Sequence, residues 1–312
     1  MRILMKTTAG TRRVSAALLV GLFVAGCARA PAADQKTFST PEEAAEALIG
    51  AAERVDIPAL AEILGPGGVD LVITEDTVLD RNQMTAFAAE GRRQMRVDRE
   101  PGQETATLVV GADDWPAPIP LLKVRGGWQF DTDAGREEVL SRRIGSNELY
   151  AIDVALGYVE AQREYASTKH DGAIVNQYAQ RIISTPGKQD GLAWQAKDGA
   201  WQGPVGEHIA RLISEGYTNR YEPFHGYYFK VLTGQGPAAP LGDMDFLVDG
   251  AMIGGFALVA APAEYEVTGI KSFIVSHDGI VYEKDLGPAS VEQFRAMTRY
   301  NPDSTWKAVE LP

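Results

Sequence analysis

The chain has 312 residues, one cysteine and a formal net charge of −12, from 30 lysines and arginines against 42 aspartates and glutamates. An acidic surface repels the phosphate backbone, so the charge argues against nucleic acid as a partner. A single cysteine excludes an internal disulfide framework, and the length is ample for a core of packed apolar side chains.

The N-terminus has the pattern of an export signal. Basic residues come first, residues 14–24 form a short apolar run, and the small residues Ala25 and Gly26 follow. A membrane span would need about 20 apolar residues, so the run predicts a signal rather than a span. The stretch Val24-Ala25-Gly26-Cys27 resembles the lipobox of bacterial lipoproteins. The resemblance implies cleavage before Cys27 and its acylation by a fatty acid such as palmitate; the alternative is an ordinary signal peptide with a cysteine nearby by chance.

Lipidation of Cys27 has several implications. It would use the only thiol, which excludes a thiolate nucleophile and cysteine-ligated metals. Removal of residues 1–26 takes away four positive charges and no negative ones, leaving about −16. Residues 27–36 are small and polar and predict a flexible tether. Ala28, rather than aspartate, follows the cysteine, so the resemblance implies the outer membrane, facing the periplasm, in a cell with two membranes.

Helices and then strands are predicted for the first part of the mature chain. Thr40 is a good N-cap, Pro41 fits the first helical turn and Glu43 completes a capping box, which predicts a helix to residue 52. Further helices are predicted over 57–64 and 79–97, and strands over 104–110, 121–124 and 127–131. The first two helices and the strand Gly-Gly-Trp-Gln-Phe-Asp resemble the nuclear transport factor 2-like cone fold. The resemblance implies helices packed on an antiparallel sheet, with a cavity that could bind a small molecule or a peptide.

The remaining chain predicts a long helix followed by a second antiparallel sheet. Helices are predicted over 136–145, 147–168, 173–184, 206–216 and 291–297, and residues 185–203 predict a long surface loop. Strands are predicted over 227–232, 246–248 and 256–260, with a hairpin of strands 269–275 and 280–284 around the turn His277-Asp278-Gly279.

Over residues 146–286, the long helix, the Gly-Tyr-Tyr-Phe strand and the final Thr-Gly and Asp-Gly hairpin resemble the globular head of type IV pilins and type II pseudopilins. The apolar N-terminal half of the pilin helix is missing here, so the resemblance implies the fold of the head without the usual filament packing. The predicted fold class is α+β, with a cone-like domain at 37–145 and a pilin-head-like domain at 146–312.

Longer segments carry a resemblance that covers almost the whole mature chain. They lie at 127–132, 142–149, 158–165, 224–227, 262–265 and 282–287. On these segments, residues 37–310 resemble the uncharacterised bacterial family catalogued as domain of unknown function 2950. The resemblance brings no established activity.

Candidate chemistry is sparse. His225, beside a glycine and flanked by aromatic residues, could carry a proton in a pocket, or could be a strand-entry residue bonded to the backbone. The other histidines lack zinc-site spacing. Asp243 and Asp245 could ligate calcium, although their spacing fails the EF-hand pattern and a solvated acidic turn is the alternative. Trp194 and Trp201 could stack on a sugar or a peptide.

Because no nucleotide-binding fingerprint or nucleophile elbow occurs, no cofactor is expected. We expect an envelope lipoprotein, held on the membrane by its lipid, that binds or assembles with another envelope protein. The alternative is a periplasmic hydrolase that acts on envelope material with a carboxylate or histidine base. The cavity of the first domain would discriminate: converging ionisable groups favour the enzyme, and a cavity filled by side chains favours binding.

Overall fold

The computed structural model describes residues 35–99, 102–217 and 222–310. The predicted signal, Cys27 and most of the predicted tether lie outside these residues. The described chain is an α+β protein with one large apolar core in each half. A small third core is formed by Ala193, Ile209 and Leu212. The predicted fold class is therefore confirmed.

The first half packs three helices on an antiparallel sheet. The elements are α1 (Pro41–Glu53), α2 (Ile57–Leu64), α3 (Thr77–Arg93), β1 (Met95–Asp98), β2 (Thr105–Val110), β3 (Trp115–Pro116), β4 (Leu121–Val124) and β5 (Gly127–Phe130). The strand order is β1-β2-β4-β5, and β3 pairs with β2. Thr40 accepts a hydrogen bond from Glu43 N (3.1 Å), and the Glu43 carboxylate accepts one from Ser39 N (3.1 Å), so the predicted cap of α1 is present.

The predicted third helix is too long at its C-terminal end. Residues 95–98 form β1, where Met95 pairs with Val110 and Asp98 with Thr107. Met95 and Val97 are half-buried and alternate with exposed Arg96 and Asp98. A period of two is the pattern of a strand, and cross-strand pairing with β2 overrides the helical continuation.

A single long helix joins the two halves. The helix α4 (Thr132–Tyr165) has 34 residues and is about 51 Å long at 1.5 Å per residue. Two separate helical stretches were predicted here, but Gly145 and Ser146 lie inside the continuous helix. Gly135 packs against Ile119 of the first half, whereas Ala151 and Ala155 are buried in the core of the second half. Because both halves pack against the helix, Gly145 does not break it.

The segment after α4 is more regular than predicted. The elements are β6 (Arg181–Ile183), β7 (Gly191–Gln195), β8 (Trp201–Gln202) and α5 (Gly206–Glu215). The predicted helix over 173–184 and the predicted loop over 185–203 are both wrong. Tyr178 N donates to Met252 O (2.8 Å), and β6 pairs in parallel with β7. These long-range bonds satisfy the backbone in place of a local helix.

The second half is built around a five-stranded antiparallel sheet. The elements are β9 (Tyr227–Leu232), β10 (Gly234–Gln235), β11 (Met244–Asp245), β12 (Leu247–Val248), β13 (Ala251–Met252), β14 (Ala257–Pro262), β15 (Lys271–Ser276), β16 (Val281–Asp285), α6 (Ser290–Ala296), β17 (Arg299–Tyr300) and β18 (Lys307–Ala308). The strand order is β18-β16-β15-β14-β9. The predicted hairpin is confirmed as β15 and β16, and α4 packs against β14, β15 and β16.

Candidate functional site at the junction of the two halves

His225 lies in a tight turn that opens β9. Phe224 and Tyr227 exchange both backbone hydrogen bonds, with N···O distances of 2.8 and 3.1 Å. Between them, His225 and Gly226 have positive φ angles of 48° and 73°, as a type I′ turn requires. Histidine adopts such a φ infrequently, so the conformation has to be stabilised by contacts from outside the turn.

Gly226 lies where the turn contacts α4. A Cβ atom at this position would be 2.5 Å from Asn147 Nδ2 and 2.9 Å from Thr268 Cβ. Asn147 is itself buried and donates to Thr268 O at 2.9 Å. The close approach and the positive φ both require glycine at this position.

Asp76 connects this turn to the first half. As the N-cap of α3, its carboxylate accepts a hydrogen bond from Leu79 N (2.9 Å). The same carboxylate accepts from Gly226 N (3.1 Å) and from the Tyr217 hydroxyl (3.1 Å). Only 2% of Asp76 is exposed, and burial raises its pKa, although the hydrogen bonds oppose this by stabilising the charged form. One carboxylate therefore caps a helix of the first half and holds a turn of the second.

A second buried aspartate lies one helical turn further along α3. Asp80 accepts from Thr74 N (2.6 Å) and Thr74 Oγ1 (3.1 Å). Burial raises the pKa of Asp80, an effect that the nearby Arg143 of α4 opposes. Arg143 Nη2 donates to Leu71 O, whereas Nη1 is buried and has no partner among the described residues. Burial lowers the pKa of Arg143, and Asp80 and Glu264 counteract this by attraction.

Further bonds cross the junction beside these groups. Glu264, which follows β14, accepts from Glu75 N at 2.7 Å, and the Tyr228 hydroxyl of β9 donates to Glu75 Oε2 at 2.9 Å. Residues 74–80 are therefore bonded to the second half through side chains and backbone alike. The arrangement positions the two halves relative to each other.

The imidazole of His225 is packed between aromatic rings. It stacks on Tyr150 of α4, with the centroids 3.8 Å apart and the planes at 10°, and Tyr217 lies 6.4 Å away. Burial lowers the pKa of His225 to about 4, and His208 and Arg211 add to the effect. The ring is therefore neutral at pH 7. In the described part of the chain it makes no hydrogen bond, and no carboxylate orients it as a catalytic base would require.

The two tryptophans predicted as ligand-binding candidates lie in strands. Trp194, in β7, is half-buried, with its ring 6.5 Å from that of Tyr165 and 5.4 Å from that of His170. Trp201, in β8, packs against the small core formed by Ala193, Ile209 and Leu212. Both rings help to cover apolar cores, and neither makes a ring contact with His225.

The two candidate calcium ligands are paired with a cation. Asp243 and Asp245 both form salt bridges with Arg299, with an N···O distance of 3.0 Å for Asp243. Across residues 35–99, 102–217 and 222–310, no group of three histidine, cysteine, aspartate or glutamate side chains could hold a metal ion.

The interior of the first half is filled by side chains. Ile49, Leu108, Leu121 and Phe130 are among its most buried residues and are at most 2% exposed. A recess of about 290 Å³ lies beside Gln35 and is lined by residues 64–67 and 129–133. This recess lies at the base of α4, away from the aspartates and His225 of the junction.

Sequence patterns identified one residue of the junction and missed the others. His225 was a candidate, but Asp76, Asp80, Arg143 and Glu264 were not. Asp76 carries a local signal, since an aspartate three residues before Leu79 is a typical N-cap. Its bond to Gly226, 150 residues away, has no local signal.

The fold and the junction define an α+β protein in which one long helix joins two halves, each made of helices packed on an antiparallel sheet. No described helix is both long and apolar enough to cross a membrane. The chain belongs to the family described as Protein of unknown function (DUF2950), whose model matches residues 35–309. No curated protein and no solved structure matches the chain. Three of the segments that carry the family resemblance, at 142–149, 224–227 and 262–265, come together at the junction.

Proposed function

We propose that this protein is exported, acylated at Cys27 and held at the outer membrane facing the periplasm, where it acts as a binding or assembly module for another envelope protein. The observation that carries the proposal is the use of the ionisable groups at the junction. These groups form hydrogen bonds that fix the two halves to each other. They do not converge on a space where a substrate could react.

The hydrogen bonds of the two buried aspartates favour this interpretation. Asp76 is bonded to donors from both halves, and Asp80 is bonded to Thr74. A hydrolase of the kind considered would need a base beside a nucleophile or a water, and a third group that orients the base. The carboxylates at the junction are already occupied by structural hydrogen bonds.

The finer fold resemblances belong to the same proposal. The first half is interpreted as a nuclear transport factor 2-like cone whose interior is occupied by its own side chains, and the second half as a pilin-type head. The helices on an antiparallel sheet in each half support this interpretation. A first half with a packed interior, fixed to the second half, would present a binding surface to another protein at a distance from the membrane.

The alternative function, a periplasmic hydrolase, is favoured by one observation. The His225 ring lies between Tyr150 and Tyr217 and, among the described residues, is not used in any hydrogen bond. In a hydrolase, it would accept a proton from water or from a substrate, although a pKa lowered to about 4 by burial makes it a weak base at pH 7. Hydrolysis of cell-wall fragments by the purified protein, abolished in His225→Asn without a change in unfolding, would support this alternative over the binding module.

Lipid attachment can be tested in cells that are fed a fatty-acid analogue. The wild-type chain is expected to be labelled and to fractionate with the outer membrane, whereas Cys27→Ala is expected to be unlabelled. Ala28→Asp is the matched control: it should keep the label but move to the inner membrane, because the lipobox resemblance implies sorting by the residue after the cysteine. An unlabelled wild-type chain would contradict the proposal.

A further inference from the structure

Five aliphatic side chains are exposed around the C-terminal end of α4. Ile174 is 90% exposed, and the other four are between 45 and 48% exposed. The set, which we name the distal apolar surface, consists of Ile174, Val175, Val248, Ile253 and Ile280. Single exposed aliphatic residues are common on protein surfaces, but a group of them at one place is typical of an interaction site.

The segments that carry these side chains are fixed by hydrogen bonds. The bonds join them to each other and to the end of α4: Asn176 Nδ2 to Ala166 O (2.8 Å), Tyr178 N to Met252 O (2.8 Å), Gln180 Nε2 to Gly250 O (2.7 Å) and Arg163 Nη2 to His277 O (3.3 Å). The surface is therefore formed before any partner binds, which reduces the entropy lost on association.

The chain's own tether cannot cover this surface. Gln35 Nε2 donates to Phe130 O (2.8 Å), so the tether meets the folded chain at the N-terminal end of α4. The distal apolar surface lies at the other end, about 51 Å away along the helix. The eight Cα–Cα steps from Cys27 to Gln35 span at most about 29 Å when fully extended.

The charges around the surface disfavour a second copy of the chain. The neighbouring segments, residues 160–181 and 247–253, carry four exposed carboxylates (Glu160, Glu164, Asp171 and Asp249) against three exposed cations (Arg163, Lys169 and Arg181), and Arg181 is already paired with Asp190. Two copies that met through this surface would bring acidic rims together, and each chain is strongly acidic as a whole. Like charges that face each other at an interface oppose association.

We propose that the distal apolar surface docks a different protein, whose contact surface has apolar side chains at its centre and lysines or arginines around them. The proposal rests on the proposed function for the orientation of the molecule, with the tether at the membrane and this surface directed away from it. An apolar centre supplies the affinity, and the opposite charges of the rim increase the rate of encounter and the specificity.

Site-specific photo-crosslinking in cells tests the contact. A photo-reactive phenylalanine analogue replaces Ile174 or Val248 in the full-length chain, and Leu149, which is 64% exposed at the middle of α4, is the control. We expect both distal positions to crosslink to the same protein, and the position of Leu149 not to do so. A product with the mass of two chains, or no product from either distal position, would overturn the proposal.

Binding of the crosslinked protein, purified after its identification by mass spectrometry, then tests the chemistry. The double variant I174S/V248S is expected to bind at least about 10-fold more weakly, and Leu149→Ser to bind as the wild type does. Affinity should also fall as salt rises from about 0.1 to about 0.5 M, because salt screens the charged rim. Unchanged affinity in I174S/V248S would reject this surface as the docking site.

Fatty-acid labelling of the same cells separates this proposal from the proposed function. A labelled chain at the outer membrane that gives no distal crosslink would reject the docking surface and leave the lipoprotein proposal standing. An unlabelled chain that crosslinks from both distal positions to one protein would support the docking surface and reject the lipid anchor.

Discussion

The middle and the C-terminal end of α4 differ in the way in which their surroundings are stabilised. At its middle, around Arg143 and Asn147, the helix passes a junction where polar groups from residues 74–80, 225–226 and 264–268 are bonded to one another. At its C-terminal end, neighbouring segments are also hydrogen-bonded, but their aliphatic side chains are exposed. The comparison teaches that buried polar groups here serve to position the two halves, while the exposed apolar groups remain available to a partner.

Removal of the Asp76 carboxylate should have the largest effect. Asp76→Ala leaves buried donors at Leu79, Gly226 and Tyr217 without their acceptor, and is expected to lower the free energy of unfolding by about 3 kcal/mol. The matched control is Asp56→Ala. Asp56 caps α2 through one backbone donor, Ala59 N (3.2 Å), and its other contact is a 3.7 Å ion pair with exposed Arg54. Because such an exposed pair adds little, the loss of Asp56 should cost about 1 kcal/mol. Urea unfolding measures both values, and equal losses would show that the cross-junction bonds add no stability.

The turn at His225 provides the next test. Gly226→Ala adds a Cβ atom close to Asn147 and Thr268 at a φ of 73° and is expected to lower the free energy of unfolding by about 2 kcal/mol. Gly172→Ala is the control, because Gly172 has a φ of 72° and open space around it. It should cost about 1 kcal/mol through backbone strain alone. If both variants unfold at the same urea concentration, the packing of the turn against α4 is not tight.

Substitutions in the distal apolar surface, unlike those at the junction, should leave the free energy of unfolding almost unchanged. I174S/V248S is expected to change the free energy of unfolding by less than about 0.5 kcal/mol, because both side chains are at least about half exposed in the folded protein. Thermal unfolding of the purified double variant measures this. A large loss of stability would show that these side chains belong to the core, and the contrast between the middle and the C-terminal end of α4 would then fail.

Local patterns predicted those elements whose signals lie close together in the sequence. The capping box at Thr40 and Glu43 predicted the start of α1, and the Asp278-Gly279 turn predicted the hairpin of β15 and β16. The prediction of the segment after α4 failed because β6 and β7 are stabilised by backbone pairing with each other, and Tyr178 by a bond to Met252. Apolar spacing alone does not distinguish a short strand from part of a helix.

The candidate site shows the same limit. The Phe-His-Gly-Tyr stretch suggested His225 as a proton carrier. The structure places this residue in a turn with a positive φ angle, and the backbone N–H of the next residue, Gly226, donates to Asp76. The surrounding residues, among them Arg143 and Glu264, come from distant segments. Nothing in the spacing of such residues reveals that they meet.

The sequence by itself determined the acidic charge, the single cysteine with its predicted lipid, the cap of α1 and the hairpin turn, because each depends on composition or on residues a few positions apart. Only the tertiary structure decided that α4 is one continuous helix shared by both halves, that Asp76 joins those halves, and that Ile174 and Val248 lie exposed at one end. Each of these depends on contacts between residues far apart in the chain, and the free energy of such contacts exists only once the segments are packed together.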